Sequence, residues 1–143
     1  MTRFLLAAIL ILSSLTSSAQ DFIGMNEHKV RKAMAGMKTG FSHGDKTETE
    51  KYRFLRFVSN DERETWIIFF DEDGLCKGVR ITCDNSMADT KRKELNDLYL
   101  ADGVDKWVHY DEENTVKIDM RTDSWSVTIT YLRVNKTEQS GNV

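Results

Sequence analysis

The chain has no proline in its 143 residues, and only two cysteines and three histidines. Without proline there are no cis-proline turns and no stiff polyproline linkers to hold domains apart. Cys76 and Cys83 do not stand at the paired spacing of a zinc site. His28, His43 and His109 are scattered, with no HxH or HExxH among them. The glycines form no P-loop, dinucleotide fingerprint or GxSxG elbow. No metal, cofactor or catalytic constellation is therefore expected. Positive charge is not in excess either: 20 Lys and Arg stand against 23 Asp and Glu, a formal net charge of -3. Nucleic-acid binding rests on neutralising phosphates with Lys and Arg, so nucleic acid is not an expected partner. The clusters His28-Lys29-Arg31-Lys32 and Lys91-Arg92-Lys93 fall within helical patterns and read as solvated helix faces.

Long apolar runs are also missing, apart from one at the start. MTRFLLAAILILSSLTSSAQ has Arg3, an apolar stretch from Phe4 to Leu12, and small residues ending Ser17-Ser18-Ala19. That order is a secretory signal peptide, with cleavage expected after Ala19. The stretch is far short of the roughly 20 apolar residues that span a bilayer, so the protein is not expected to be membrane-spanning. No cysteine lies at the expected cut, which argues against a lipid anchor. The mature chain, Gln20 to Val143, would hold 143 minus 19, or 124, residues, enough for a single domain. Its expected location is periplasmic or secreted, and loss of Arg3 takes the formal charge to -4.

Two segments carry helical signals. In MNEHKVRKAMAGM, Val30, Ala33, Met34 and Met37 form one apolar stripe, Asn26 is a good N-cap, and Met25 can staple onto Val30. SMADTKRKELNDLYLADG opens with Ser86 three residues before Asp89 and is expected to end at Gly103, with a thinner stripe of Met87, Leu95, Leu98 and Tyr99. Between and after them lie six strand-like runs: 51–58, 64–70, 75–83, 105–110, 114–120 and 124–134. TGFSHGDKTETE, before the first of these, is polar and reads as a loop; the tail 135–143 is polar and expected to fray. The order is helix, three strands, helix, three strands. This predicts an α+β domain built from two helix-plus-three-strand units, with an antiparallel sheet of about six strands and two helices on one face. The likeness between the halves leaves an origin by duplication open.

If 75–83 is one strand, Cys76 and Cys83 are about 23 Å apart, well beyond the roughly 7 Å that a disulfide tolerates. Their odd separation puts Val79, Ile81 and Cys83 on one face and Cys76, Gly78, Arg80 and Thr82 on the other. The alternative is a hairpin folded at Lys77-Gly78, which would bring the two cysteines together. DEDG, at 71–74, resembles the start of a calcium loop but lacks the later ligands, and reads as a hairpin turn closed by Gly74. Asn135-Lys136-Thr137 is a glycosylation sequon, relevant only in a eukaryotic secretory pathway.

Along the last run Trp125, Val127, Ile129 and Tyr131 alternate with Ser and Thr, and Val116, Ile118 and Met120 alternate with Lys117, Asp119 and Arg121. The runs 52–58, 66–70 and 107–110 carry large apolar groups on both faces. Two helices cover about four strands on one side of a sheet. The aromatic surface on the other side is then either an exposed recognition face or is covered by strand curvature, loops or a second copy of the chain; contiguous exposed apolar surface marks binding. Trp66, Arg80, Trp107, His109, Lys117, Arg121 and Thr128 are placed on that candidate binding face; the registers around Trp66 and Trp107 are ambiguous, and the core is the alternative for these two.

The segments SSAQ, FIGMNEHKV, WIIFFDEDGLCKGVR, KELNDLY, KWVHYDEEN and SWSVTITY resemble small exported, functionally uncharacterised proteins of Bacteroidetes-type bacteria. The repeated helix-and-strands order is similar in topology to beta-lactamase-inhibitor-protein-like and PepSY-like domains. That resemblance implies protein binding through a sheet face or helices. The expected function is a non-enzymatic exported binding module that recognises a protein, peptide or envelope component, with a second copy of the chain as a further candidate partner. The alternatives are a small extracytoplasmic hydrolase using His43, Asp45, His109 or Cys76, and a carrier of an apolar small molecule held between sheet and helices.

Overall fold

Eight extended segments pair into one antiparallel sheet: six alternate or concentrate apolar side chains, and the two edges are a polar four-residue strand and an exposed two-residue one. The computed structural model describes residues 18–37, 40–42 and 45–134. Most of the expected signal segment, together with His43, the sequon at Asn135 and the tail, lies outside the described residues.

The elements, in chain order, are α1 (Glu27–Ala35), β1 (Asp45–Glu48), β2 (Arg53–Val58), β3 (Glu64–Phe70), β4 (Cys76–Asp84), α2 (Ala88–Leu98), β5 (Leu100–Ala101), β6 (Lys106–Tyr110), β7 (Thr115–Thr122) and β8 (Ser126–Val134). The sheet order is β1-β2-β3-β4-β8-β7-β6-β5, antiparallel throughout. Each half is a helix followed by a four-strand meander, and the halves meet where β4 pairs with β8. Over the described residues this is an α+β fold with two helices and an open eight-strand sheet. The two strands beyond the expected six are the shortest ones. DKTE in β1 has no apolar residue to signal it, and β5 is only two residues long.

α1 starts where expected. The Asn26 side chain accepts the Lys29 amide, satisfying one of the free donors of the first turn. Val30 and Met34 turn inward and are buried. α2 differs from expectation at both ends. Asp84, not Ser86, starts the segment: its carboxylate accepts the Ser86 amide and sets a 3-10 turn over Asn85–Met87 ahead of the helix. The helix stops at Leu98, five residues before Gly103, because Tyr99 turns extended and feeds β5. Gly103, at φ +120°, serves the β5–β6 turn instead.

The core lies between the helices and one face of the sheet. Leu55, Trp66, Ile68, Val79, Ile81, Ile118, Val127 and Ile129 are each at most 5 % exposed on that side. Full burial of such side chains stabilises by about 1.5–3 kcal/mol each. Trp66 pairs with Ile81 across the β3–β4 ladder, and Trp107 pairs with Ile118 across β6–β7. Both indoles therefore lie under the helices, 5 % and 2 % exposed, instead of on the open face. His109 shares the face of Trp107 and meets the Tyr99 ring edge-on, with centroids 5.8 Å apart.

A bulge settles the cysteines. Phe69 pairs with Gly78 but Phe70 with Cys76, so Lys77 is the extra residue. Beyond it the alternation flips, and Cys76 joins Val79, Ile81 and Cys83 on the core side; it does not lie opposite them. Both thiols are free and buried within one continuous strand. Burial pushes the Cys76 thiol up to about 12, against weaker opposing help from its bond to the Gly78 carbonyl and from Arg133. Neither cysteine resembles an activated nucleophile.

The basic cluster of α2 is not simply solvated. Lys91 donates to Glu64 at 2.8 Å, and Glu64 also accepts the Trp66 indole N–H at 3.1 Å. Arg92 holds Asp105 through Nε at 2.8 Å and Nη2 at 3.2 Å. Trp107 donates to Asn96 at 2.9 Å. These three tethers fix α2 to β3, to the turn before β6 and to β6.

Candidate functional site

The face of the sheet turned away from the helices is built by register. Directly opposed residues share a face. One row therefore runs Phe54, Phe69, Gly78, Leu132, Lys117 and Val108 across six strands. The next runs Arg56, Ile67, Arg80, Thr130, Asp119 and Lys106, and the third Val58, Thr65, Thr82, Thr128 and Arg121. Apolar, cationic and hydroxyl rows thus lie side by side, with strands about 4.8 Å apart.

Gly78 places a depression in the first row. The absent side chain leaves a concavity of about 220 Å³, lined by Phe69, Lys77, Arg80, Thr130 and Leu132. A Cβ at 78 would come within 3.1 Å of the Tyr131 carbonyl oxygen, so this position takes no larger residue without moving β8. Phe54 and Phe69 pair across strands with centroids 5.8 Å apart, and the Arg80 guanidinium lies 5.5 Å from the Phe69 ring centre. Leu132 is 48 % exposed.

Charge on this face is positive. Arg56, Arg80, Lys106, Lys117 and Arg121 stand against Asp45, Asp84 and Asp119, whereas the chain as a whole is acidic. Among the described residues Arg121 alone of these cations reaches a carboxylate, Asp119 at 3.5 Å, and its own side chain is 85 % exposed. Arg56, Lys106 and Lys117 make no ion pair among the described residues.

Of the seven residues placed on this face from sequence, Arg80, Lys117, Arg121 and Thr128 lie on it; Trp66, Trp107 and His109 lie on the opposite side. Sequence reading missed Phe54, Arg56, Phe69, Gly78 and Leu132, although a glycine inside an apolar alternation was a usable signal for a dip in a sheet. It also missed Trp125. The alternation of the last run groups Trp125 with Val127, Ile129 and Tyr131, but β8 begins at Ser126, and Trp125 sits in the preceding turn, 85 % exposed.

The residues named for a hydrolase are not brought together. Asp45 is on the β1 edge and His109 on β6, six strand positions away, or about 29 Å. Cys76 is sealed in the core and His43 lies outside the described residues. The DEDG turn is held by protein groups: Asp71 accepts the amides of Asp73 and Leu75 through Oδ1, and Arg133 through Oδ2 at 2.7 Å. Among the described residues no group of three or more His, Cys, Asp or Glu is arranged to hold a metal ion. A half-open cavity of about 430 Å³ does lie between Ser18–Asp21, α2 and the sheet, with Trp66, Ile81, Leu95 and Tyr131 in its lining. Among the described residues no helix is long and apolar enough to cross a membrane.

No family model matches the chain, and no curated protein or solved structure matches it. Over the described residues the class is α+β, with two helices and one open antiparallel eight-strand sheet.

Proposed function

We propose that the protein is an exported, non-enzymatic binding module whose open sheet face receives a polypeptide partner carrying apolar and carboxylate side chains. The observation that carries this reading is the Gly78 depression. It is an apolar recess between Phe69 and Leu132, with Arg80 at its rim and the cations Arg56 and Lys117, which have no ion pair among the described residues, on either side. An apolar anchor fills the recess, while acidic neighbours meet the cations. Such an arrangement matches the general anatomy of interfaces, where a few well-placed anchors supply affinity and charge complementarity supplies rate and orientation. The repeated helix-and-meander order, similar to beta-lactamase-inhibitor-protein-like and PepSY-like domains, supports the same reading by analogy only. Export rests on the N-terminal signal pattern.

The test uses the purified chain as bait on envelope extract of its source, with Arg80→Glu/Leu132→Asp as the control. Capture must be lost in the control and must weaken as salt is raised. The captured partner must also contain an acidic and apolar segment that protects the open face from labelling. A partner that binds both baits equally, or that protects only the helices, removes the proposal. A second copy of this chain as the captured species would show as a dimer by light scattering and would replace the foreign-partner reading.

A further inference from the structure

At one end of the sheet the β2–β3 turn, the β4–α2 junction and the β7–β8 turn enclose a groove of about 640 Å³. It lies beyond the Gly78 recess, and the reading above does not use it. Trp125 and Met87 supply its apolar surface, Thr65 and Thr82 its hydroxyls, and Glu62, Arg63 and Asp84 its charges.

Trp125 is 85 % exposed, yet its backbone is firmly held. Asp123 Oδ1 accepts the amides of Trp125 and Ser126 at 2.8 and 2.7 Å. The Asn85 amide donates to the Trp125 carbonyl at 3.2 Å, and the Asn85 side chain donates to the Ser124 carbonyl at 2.7 Å. A large indole left in water on a fixed turn is a preorganised platform, because little backbone entropy remains to be lost on binding. The groove floor continues the hydroxyl row. Thr65 faces Thr82 and Thr82 faces Thr128, at about 4.8 Å per strand, a spacing close to the width of a sugar ring. The Thr65 and Thr82 hydroxyls have no hydrogen-bond partner among the described residues.

We propose that this groove binds a neutral saccharide, with one sugar ring stacked on Trp125 and its hydroxyls meeting the threonine row and the flanking carboxylates. The stacking face of a pyranose is apolar and suits the indole. Its ring hydroxyls both donate and accept, as do threonine hydroxyls, while Glu62 and Asp84 accept and Arg63 donates. Two carboxylates against one guanidinium disfavour an anionic sugar. An acidic peptide, suited to the recess on the open face, is disfavoured here for the same reason.

The three tryptophans make the test direct, because Trp66 and Trp107 are buried and Trp125 alone is in water. The full chain is screened on a glycan array, and maltotriose, cellotriose and N-acetylated chitotriose are titrated while tryptophan emission is followed. A saturable blue shift with at least one neutral sugar is expected. Trp125→Ala should weaken binding by about tenfold or more, as for a central aromatic anchor. Thr82→Val, a near-isosteric change at a half-buried position, should weaken it by about threefold through loss of one hydroxyl. Circular dichroism of each variant should match the native chain. Failure of every array sugar and all three trisaccharides overturns the proposal. Sugar binding that survives Trp125→Ala, or binding restricted to acidic sugars, also overturns it.

Discussion

Trp107 gives the sharpest division between structural and binding aromatics. Its indole is 2 % exposed, opposes Ile118, and donates to Asn96 at 2.9 Å. Replacing a buried Trp by Ala removes transfer energy and leaves a cavity that the surroundings fill only in part, about 3–5 kcal/mol in total. Against the roughly 5–15 kcal/mol of a typical domain, that is a large share. For a chain of this size it corresponds to a fall in Tm of roughly 10–20 °C. Trp107→Phe retains most of the volume and loses the hydrogen bond, so about 1–2 kcal/mol is expected. Asn96→Ala reaches the same bond from the exposed side and leaves the buried indole N–H unpaired, again about 1–2 kcal/mol. The assay is urea unfolding followed by circular dichroism, with slopes compared so that a change in midpoint reads as stability. A Trp107→Ala protein within about 1 kcal/mol of native would refute the packing argument, since only surface changes are that mild. So would a fully folded Trp107→Ala protein that has lost a partner.

Further expectations follow from the polar contacts. Glu64→Gln should destabilise by about 1–2 kcal/mol, and a cycle with Lys91→Met should show coupling, since both side chains are at most 22 % exposed. Burial alone would lower the Lys91 pKa, but the Glu64 hydrogen bond and charge raise it. The pair's contribution is therefore intact below the ordinary lysine range and is lost as pH rises through the raised value, which alkaline unfolding midpoints of native and Glu64→Gln proteins can check. Asp71 behaves oppositely. Burial works against it, yet Arg133 and the amides of Leu75 and Asp73 hold its carboxyl below the usual range. Its contribution is present above about pH 4 and is lost as pH falls through the lowered value, so Asp71→Asn should flatten the acid limb of the stability profile. Gly78→Val should cost about 1–3 kcal/mol by forcing β8 outward, measured by the same urea assay; a neutral result would contradict the close approach to Tyr131. Both cysteines should resist alkylation in the native state at pH 8 and both should label without reductant in urea, read by intact mass; rapid native labelling of Cys76 would contradict its burial.

The clean alternation in β7 and β8 revealed in the sequence which side of each strand is buried, because one face there is polar throughout. β3 offered no such guide. TWIIFF is apolar on both faces, and only pairing with Ile81 shows that Trp66, Ile68 and Phe70 face the helices while Ile67 and Phe69 face out. Cys76 was misplaced for a different reason: a bulge adds one residue, and a period of two has no memory across it. β1 and β5 escaped notice because polar edge strands and two-residue strands carry no hydrophobic period. Trp125 was drawn into the strand by an alternation that continues one step past its true end, where Asp123 caps the turn. Lys91 and Arg92 looked like solvent-facing charge, and Glu64 and Asp105, far away in sequence, turn them into tethers.

The proposed recognition uses the open face of the sheet, away from the helices. Thr130 lies in the middle of the open face on β8, between Arg80 and Asp119, and Lys93 lies on the exposed surface of α2. A photo-crosslinking residue at each position, tested separately in the presence of the captured partner, reads the contact directly. Position 130 should link to an acidic, apolar segment of the partner, position 93 should not, and Arg80→Glu/Leu132→Asp should abolish the link. Linking at 93 with none at 130 would place recognition on the helices and contradict use of the open face.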